Sequence, residues 1–344
     1  MKKLLNTVYV TSPEALLRKD GENLKAEIEG NEKARFPLHM LNSIIVFGPA
    51  LLTPALISDC AEKGITITLL NRFGKFKARI EGPVSGNVLL RRSQYDLANS
   101  ATEIVRSIVI GKVANQRSVI RRHIRDYGDD MEQSNYSELE TSSKELNALL
   151  RTVQKPSLSI DQLRGIEGKA AESYFGVFDH LIRSKSEMFR WKGRSRRPPL
   201  DPINALLSLF YVILTHECRS ACEAVGLDPA VGFLHKVRPG RPSLALDLVE
   251  EFRAPFADRL ALTLINRGQI RSNDFHYKES GAVLLKDNSR QKVLDAWQER
   301  KKRTRIHPFL NERTPIGLTP FIQAQLLARH LRGDLDCYPP WFWN

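Results

Sequence analysis

One histidine and three acidic residues near the middle of the chain have the types and spacing of a metal site. Glu167 lies between two glycines in GIEGKAAESYF, and His235, Asp247 and Glu250 lie within GFLHKVRPGRPSLALDLVEEF. Carboxylates together with an imidazole nitrogen form a mixed donor set that suits Mn²⁺ or Mg²⁺. Such an ion can polarise a phosphodiester and help to activate a hydroxyl nucleophile. The pattern therefore indicates phosphodiester chemistry.

The first acidic residue is predicted to lie on a helix over residues 160–182. Ala171, Tyr174 and Phe178 follow Glu167 at offsets that align it with the buried stripe of that helix. A carboxylate on that stripe needs a partner, because an unpaired buried charge is costly. The alternative is a glutamate near the helix start, where the helix dipole favours a negative charge.

The second helix, expected over residues 244–252, carries the two remaining acids three positions apart, on one side of the helix. Ser243 fits the N-cap position. The turn at residues 239–242 could fold His235 back over the acidic pair. Two alternatives stay open: a lone histidine beside apolar residues is commonly structural, and an acidic pair at this spacing is commonly a solvated face.

The densest basic run lies between these motifs, over residues 183–197, and has seven basic residues and one acid. Phe189 and Trp191 interleave with the basic residues, which combines phosphate contacts with stacking or wedging surface. The alternative is a solvated loop between two helices. The residues predicted to contact DNA are Arg183, Lys185, Arg190, Trp191, Lys192, Arg194, Arg196, Arg197 and Arg241.

The charge of the whole chain agrees with a polyanionic partner. The 344 residues carry a formal net charge of +13, which favours nucleic acid or an acidic membrane surface. Residues 1–90 hold 12 basic and 9 acidic residues, whereas residues 91–344 hold 40 and 30. Most of the excess therefore lies in the same part of the chain as the acidic motifs.

The cellular setting is expected to be a reducing cytoplasm. The four cysteines are scattered and form no CxxC pair, which argues against a disulfide framework and structural zinc. Cys218 and Cys222, with His216 nearby, could bind a metal, but buried inert thiols are the favoured interpretation. No signal peptide is recognisable, and glycine and prolines interrupt the most apolar stretch, residues 41–57, so no membrane helix is expected.

The hydrophobic pattern predicts an α+β protein with a small β-rich N-terminal domain, residues 1–90, and a larger all-α domain, residues 91–344. The first part alternates apolar and polar residues, with one short helix at residues 53–63. The second part has helical periodicity, including a strong helix over residues 202–225.

Two further expectations concern the helical part. The apolar face of the helix that includes Ile104, Ile108 and Val109 is expected to leave Arg106 and Lys112 elsewhere, off the buried side. The polar stretch over residues 127–143 is expected to be a loop or a weak helix.

Three motifs, in this order and spacing, resemble the CRISPR-associated DNA integrase endonuclease of spacer acquisition, the "Cas-one" family. They are GIEGKAAESYF, RRPPLDPINALLSLFYVIL and GFLHKVRPGRPSLALDLVEEFRAPFADRL. The resemblance covers the whole chain. It implies a β-sandwich-like N-terminal domain used for dimerisation and companion contact, and an α-helical catalytic domain.

The resemblance also implies roles for single residues. The glutamate of the first motif, the histidine of FLH and an acid of the following helix bind the metal in that family, which maps onto Glu167, His235 and Glu250. Many relatives have Asp at the last position, and Asp247 matches a motif acid as well, so the choice between Asp247 and Glu250 stays open. Both are retained as catalytic candidates. The residues that match the RxPxDxxN-like motif, with implied roles in scaffolding and DNA contact, are Arg197, Asp201 and Asn204.

The implied reaction is metal-assisted transesterification with Mg²⁺ or Mn²⁺. The 3′-hydroxyl of a short double-stranded DNA fragment attacks a phosphodiester at a CRISPR repeat, so that the fragment becomes a new spacer. The implied assembly is a homodimer, and a small companion adaptation protein bridges two dimers. The alternatives are a non-catalytic nucleic-acid-binding protein and a plain metal-dependent repair nuclease.

Overall fold

The computed structural model describes residues 6–12, 14–71, 76–82 and 88–343. The chain divides into two compact units. The strand-rich unit consists of residues 1–86, 287–305 and 314–319, and the helical unit of residues 87–286, 306–313 and 320–344. The expected combination of a small strand-rich N-terminal part and a larger helical part is confirmed. One late helix, at residues 287–302, belongs to the strand-rich unit.

The strands of the N-terminal part form two four-stranded sheets. They are β1 Asn6–Val10, β2 Leu16–Asp20, β3 Asn23–Ile28, β4 Asn31–Pro37, β5 Leu41–Phe47, β6 Leu51–Leu52, β7 Thr66–Leu70 and β8 Phe76–Ile80. One sheet has the order β1-β5-β7-β8, and the other has the order β4-β3-β2-β6. β1, β5 and β7 are parallel, whereas β8 is antiparallel to β7. The sequence Asn71-Arg72-Phe73-Gly74 predicts a turn, but residues 72–74 lie outside the described residues.

The helices are α1 Pro54–Glu62, α2 Val88–Leu97, α3 Thr102–Tyr127, α4 Gln133–Val153, α5 Ile160–Gly176, α6 Pro202–Ala224, α7 Ser243–Phe252, α8 Arg259–Asn266, α9 Asp287–Lys302 and α10 Thr319–Leu331. The short strands among the later helices are β9 Phe275–Tyr277, β10 Val283–Leu285, β11 Thr304–Ile306 and β12 Arg313–Pro315. α1 agrees with the short helix expected at residues 53–63, and Thr53 is its N-cap, because the Thr53 side chain accepts a hydrogen bond from the Leu56 amide. It ends before Gly64, which has φ +68°.

The two sheets share one apolar core. Leu17 and Leu24 of one sheet and Ile44 and Ile67 of the other are fully buried in the same cluster. α1 adds Cys60 to that cluster. A common core between two sheets agrees with the expected sandwich-like arrangement.

The helical unit is organised around α3, which packs against α4, α5 and α7. α7 continues through a π-helical segment, Arg253–Asp258, into α8. The polar stretch expected as a loop or weak helix falls mainly in the 21-residue helix α4. Its Leu139 and Leu146 are fully buried, which explains why the segment is a stable helix despite its polar composition.

In the part of the chain that the structure describes, none of the helices has both the length and the apolar character needed to span a bilayer.

Candidate active site

The acidic pair of α7 faces the protein interior. Asp247 is 0% exposed and Glu250 is 2% exposed, so the solvated-face interpretation is wrong. The helix begins one residue earlier than predicted: Pro242 occupies the N-cap position and Ser243 is the first helical residue. The Ser243 hydroxyl donates to the carbonyl oxygen of Lys236 instead of capping the helix, at 3.1 Å. That bond ties the incoming loop to the helix start.

Asp247 organises the loop that carries the histidine. Its Oδ2 accepts hydrogen bonds from the amides of Phe233 and Leu234, at 2.6 and 3.0 Å. Its Oδ1 accepts the amide of His235 at 2.9 Å and lies 2.7 Å from the Nδ1 of the same residue. Both oxygens are therefore used, and a buried carboxylate with this many donors is well satisfied.

Gly232 allows the loop to pack this closely. A Cβ at Gly232 would lie 2.7 Å from the carbonyl carbon of Ser243 and 2.8 Å from Oδ2 of Asp247. No larger residue fits without moving the loop away from α7. The glycine of the GFLH motif is thus explained by a close approach of backbone to helix.

His235 lies over both acids, as the turn at residues 239–242 predicted. Because Asp247 is an acceptor, Nδ1 carries the proton in this contact, which leaves the lone pair of Nε2 available. Nε2 lies 3.7 Å from Oε1 of Glu250, and the imidazole is 20% exposed. The histidine is therefore held by a carboxylate on one side and accessible on the other.

Glu167 reaches the same place from α5. It is the eighth residue of a helix that begins at Ile160, beyond the first turn, so the helix-dipole interpretation is wrong. Its side chain is 26% exposed and forms an ion pair with the ammonium of Lys112. The same ammonium lies 2.9 Å from Oε2 of Glu250. Lys112 therefore joins the two glutamates that the sequence motifs single out.

The expectation for the basic residues of α3 was wrong. Lys112 is 4% exposed and Arg106 is 7% exposed, so both point into the protein. The Arg106 guanidinium donates to the carbonyl oxygens of Val153 and Lys155, both at 2.5 Å. Helical periodicity places charged residues on the solvent side, and it fails where buried partners come from distant parts of the chain.

The surroundings of Glu250 favour its charged form. Burial by itself raises the pKa of this carboxyl, but Arg253, Lys112 and His235 together lower the pKa below its ordinary value. Arg253 contacts Oε1 at 2.9 Å through Nη1. Apart from the ion pair with Lys112, Oε2 has no hydrogen-bond partner among the described residues. Glu250 is therefore a buried anion that is surrounded by cations.

The next residue, Glu251, is buried in a different environment. Its carboxylate accepts hydrogen bonds from the Tyr338 hydroxyl at 2.5 Å, the Trp341 amide at 2.7 Å and the Gln323 side chain at 3.1 Å. Burial raises the pKa of Glu251 to about 8, against the opposing effect of these donors. Its partners belong to α10 and the segment after it, and no sequence motif connected them with the site.

Another buried acid, Asp258, lies at the end of the π-helical segment. Asp258 is 1% exposed and accepts hydrogen bonds from the hydroxyls of Tyr211 at 2.7 Å and Tyr174 at 3.2 Å. Burial raises its pKa to about 6. The guanidinium carbon of Arg253 lies 5.2 Å from the centre of the Tyr211 ring. This cluster was not predicted from the sequence. The only related signal was the predicted burial of Tyr174 on α5.

The residues around Lys112 suit a divalent ion in their donor chemistry. As the side chains lie, no three His, Cys, Asp or Glu residues of the described ranges converge closely enough to hold a metal ion. Two carboxylates and an imidazole nitrogen are nevertheless a suitable set. The Asp247 carboxylate behind His235 is the support usually found behind a metal-bound histidine. The donor set therefore fits Mn²⁺ or Mg²⁺.

The basic run at residues 183–197 has two kinds of side chain. Four of the basic side chains are exposed, and no hydrogen bond or ion pair holds them to other described residues: Lys185, Lys192, Arg196 and Arg197. Arg241 is half-buried, and its guanidinium likewise has no hydrogen bond or ion pair within the described ranges. These cations are available to phosphates.

The other members of the run are used within the fold. The Arg183 guanidinium lies 4.0 Å from the centre of the Tyr127 ring, and Arg190 pairs with Asp179 at 3.2 Å. Trp191 stacks on Phe175 with ring centres 5.6 Å apart.

Arg194 and Phe189 are also directed into the fold. Arg194 donates to Oδ1 of Asn204 at 2.5 Å. Asn204 also bonds to Asp201, so this motif has the scaffolding part of its expected role. Phe189 is only 3% exposed and is not available as a wedge.

Cys218 and Cys222 are both buried on α6, in agreement with the inert interpretation. Burial raises the pKa of Cys218 well above its ordinary value.

Comparison with known proteins identifies the family. The family model described as "CRISPR associated protein Cas1" matches residues 8–299. This chain belongs to the Cas1 family. A relative from Rhodospirillum rubrum, "CRISPR-associated endonuclease Cas1 2", is 60% identical over 344 residues and all of both chains. A relative from Chlorobaculum tepidum, "CRISPR-associated endonuclease Cas1 1", is 47% identical over 347 residues, again with both chains fully covered.

Two solved structures share the fold. A Cas1 protein from Thermotoga maritima superposes with a TM-score of 0.76 at 25% identity, covering 96% of this chain and 97% of that one. A casposase bound to its integration product has a TM-score of 0.76 at 22% identity, covering 96% and 92%. At this low identity, the similarity to the casposase shows a shared fold and nothing further.

Proposed function

We propose that the chain is a divalent-metal-dependent DNA endonuclease and integrase of CRISPR adaptation. It inserts short double-stranded DNA fragments as new spacers at the repeat, by attack of a fragment's 3′-hydroxyl on a phosphodiester. Family membership and relatives named as endonucleases support DNA cleavage. A casposase with its integration product among the proteins of the same fold supports the joining reaction.

The observation that carries the proposal is that the ammonium of Lys112 joins Glu167 to Glu250, while Nε2 of His235 lies 3.7 Å from Oε1 of Glu250. Glu167, His235 and Glu250 come from α5, a loop and α7, and no local feature of the chain requires them to converge. Two carboxylates that hold a lysine ammonium, with an imidazole beside one of them, can hold a metal cation.

The ligands of Mg²⁺ or Mn²⁺ would be Glu167, His235 and Glu250. The ion would stabilise charge on the phosphate and lower the pKa of a bound hydroxyl. Asp247 acts through His235, because it fixes the imidazole and keeps Nε2 turned toward Glu250. Arg253 keeps Glu250 ionised. The exposed cations Lys185, Lys192, Arg196 and Arg197 bind the DNA backbone, which positions the phosphodiester without reading its bases.

The proposed partners follow from the family and its neighbours. They are double-stranded DNA fragments, CRISPR repeat DNA, a second copy of the chain and a small companion adaptation protein. A chain of the solved "Cas6-RT-Cas1--Cas2 complex" shares the fold, with 100% of this chain matching 36% of that one at a TM-score of 0.77. That complex supports a companion protein beside the integrase.

Replacement of the histidine tests the proposal. We expect His235→Ala to abolish joining of a labelled fragment to repeat DNA in Mn²⁺, while binding of the fragment measured by fluorescence anisotropy changes little. His276→Ala is the matched control, because it removes an exposed histidine of β9 in the same unit. Joining by His235→Ala at the wild-type rate would disprove the assignment.

The same assay separates the two alternatives. Metal-dependent cleavage of DNA without any joining of a supplied 3′-hydroxyl end would indicate a repair nuclease. Binding of DNA with neither cleavage nor joining, whether Mn²⁺ or EDTA is present, would indicate a non-catalytic nucleic-acid-binding protein.

A further inference from the structure

Lys112 is the one member of the site cluster that the proposed reaction does not use. It lies in the middle of α3, its side chain is 5% exposed, and its ammonium bridges Glu167 on α5 and Glu250 on α7. Burial of an unpaired ammonium is costly, so the lysine depends on these two carboxylates. The carboxylates depend equally on a cation, since like charges so close together repel each other.

The position of Lys112 is set by the backbone. A Cβ on the preceding residue, Gly111, would lie 3.0 Å from Cγ of Glu251 and 3.2 Å from Cβ of Pro340. α3 therefore lies directly against α7 at this point, and only a glycine permits the approach without adjustment. The close contact brings the base of the lysine side chain beside the helix that carries Glu250.

Simple electrostatics shows that a lysine and a divalent ion compete for this place. With Lys112 and Arg253 beside Glu167 and Glu250, the formal charges of the four groups cancel. Addition of a divalent ion to that arrangement would place two positive charges next to the ammonium. Lysine has a flexible stem of four carbons and no fixed donor geometry, so its ammonium can withdraw from the carboxylates. Arg253 contacts the other oxygen of Glu250 and does not have to move.

We propose that Lys112 is a resident counter-cation, which keeps the ligand carboxylates of the metal-free protein together and must leave them when a divalent ion binds. This inference rests on the metal site of the proposed function and deepens it. Lys112 is a positioning residue that acts through Glu167 and Glu250. It stabilises the empty site and at the same time weakens the affinity for the metal.

Direct measurement of Mn²⁺ binding tests this role independently of activity. Free Mn²⁺ is measured by electron paramagnetic resonance during titration of the full-length wild type and Lys112→Met. The variant should bind Mn²⁺ about tenfold more tightly, because a like charge a few ångströms away has been removed. Its melting temperature should be lower than that of wild type in EDTA and should rise more on addition of Mn²⁺.

Two more variants exclude a general effect of lost charge. Lys112→Gln removes the charge but keeps a hydrogen-bond donor, so it should also tighten Mn²⁺ binding, and it serves if Lys112→Met does not fold. Arg106→Gln is the matched control: it removes another buried cation of α3, which contacts Glu103 and main-chain carbonyls instead of the site. It should lower the melting temperature without changing the affinity for Mn²⁺.

The outcomes distinguish this inference from the proposed function. If wild type binds Mn²⁺, His235→Ala weakens that binding and both Lys112 variants bind no more tightly than wild type, the metal site stands and the counter-cation role is wrong. If wild type binds no Mn²⁺ and His235→Ala behaves identically, both the metal site and the inference are wrong. If both Lys112 variants bind Mn²⁺ more tightly than wild type and Arg106→Gln does not, the inference is confirmed.

Discussion

Glu250 and Glu251 are neighbours on α7, both are buried, and their surroundings are opposite. Glu250 lies near His235 and contacts the cations Lys112 and Arg253, which lower its pKa. Glu251 has neutral donors, and burial raises its pKa to about 8. One face of the helix thus stabilises a negative charge, whereas the other favours a neutral acid.

The comparison shows that burial alone does not decide whether a carboxyl group is ionised. A buried carboxyl without nearby cations becomes a structural hydrogen-bonding group, because desolvation disfavours its ionised form. The same group among cations stays ionised and can exchange one cation for another. Chemistry is therefore expected on the Glu250 side of α7, and anchoring of the C-terminal segment on the Glu251 side.

The largest effect should distinguish the two glutamates by activity. Glu250→Gln removes the buried anion and should lower the rate of fragment joining by more than about 100-fold, since loss of a group that supports a metal ligand already costs about 10–100-fold. Glu251→Gln should keep the rate within a few-fold of wild type. Single-turnover joining in Mn²⁺ measures both, and equal losses in the two variants would contradict the division of α7 into two sides.

The next effect concerns stability and pH. The folded-state pKa of Glu251, about 8, exceeds its reference value of 4.5, so folding favours the protonated form. Its stabilising contribution is complete below pH 4.5 and is lost as the pH rises toward 8. Relative to Glu251→Gln, wild type should lose about 3 kcal/mol of unfolding free energy between about pH 5.5 and 7.5, at about 1.4 kcal/mol per pH unit.

Urea unfolding in EDTA at a series of pH values measures this difference without interference from metal. Parallel pH profiles of wild type and Glu251→Gln would show that Glu251 is ionised throughout.

The smallest effect should come from Asp247, which acts through its neighbour. Asp247→Asn keeps the shape of the side chain but loses the carboxylate behind His235, so joining should slow by about 10–100-fold, less than for Glu250→Gln. Part of the loss should be recovered at higher Mn²⁺ concentration, because the histidine is misoriented rather than absent. An effect as large as that of Glu250→Gln, with no recovery, would place Asp247 among the ligands themselves.

Sequence motifs were most informative where the determinants are local. Periodicity predicted α6 closely, and the proline-glycine turn correctly indicated that His235 folds back over α7. The inward direction of Asp247 and Glu250 could not be read from spacing alone, because an acidic pair on a helix has the same spacing when it faces solvent.

The features that were missed depend on distant partners. Lys112 was placed on the solvent side because its two carboxylates lie on other helices, and a single helix pattern contains no information about them. The donors to Glu251 come from α10 and beyond. Likewise, helix α9 belongs to the strand-rich unit, where Arg290 lies 5.6 Å from the centre of the Phe47 ring. A single domain boundary in the sequence cannot show that a late helix belongs to the N-terminal unit.

The contacts of the Lys112 ammonium also affect the order in which the protein folds. The ammonium joins Glu167, 55 residues further along the chain, and the still more distant Glu250. Contacts between such distant residues require closure of long loops, which is entropically costly and slow compared with helix formation. A partly folded chain can therefore contain every helix of the site and still lack the cluster. Assembly of the cluster reports that α3, α5 and α7 have packed together.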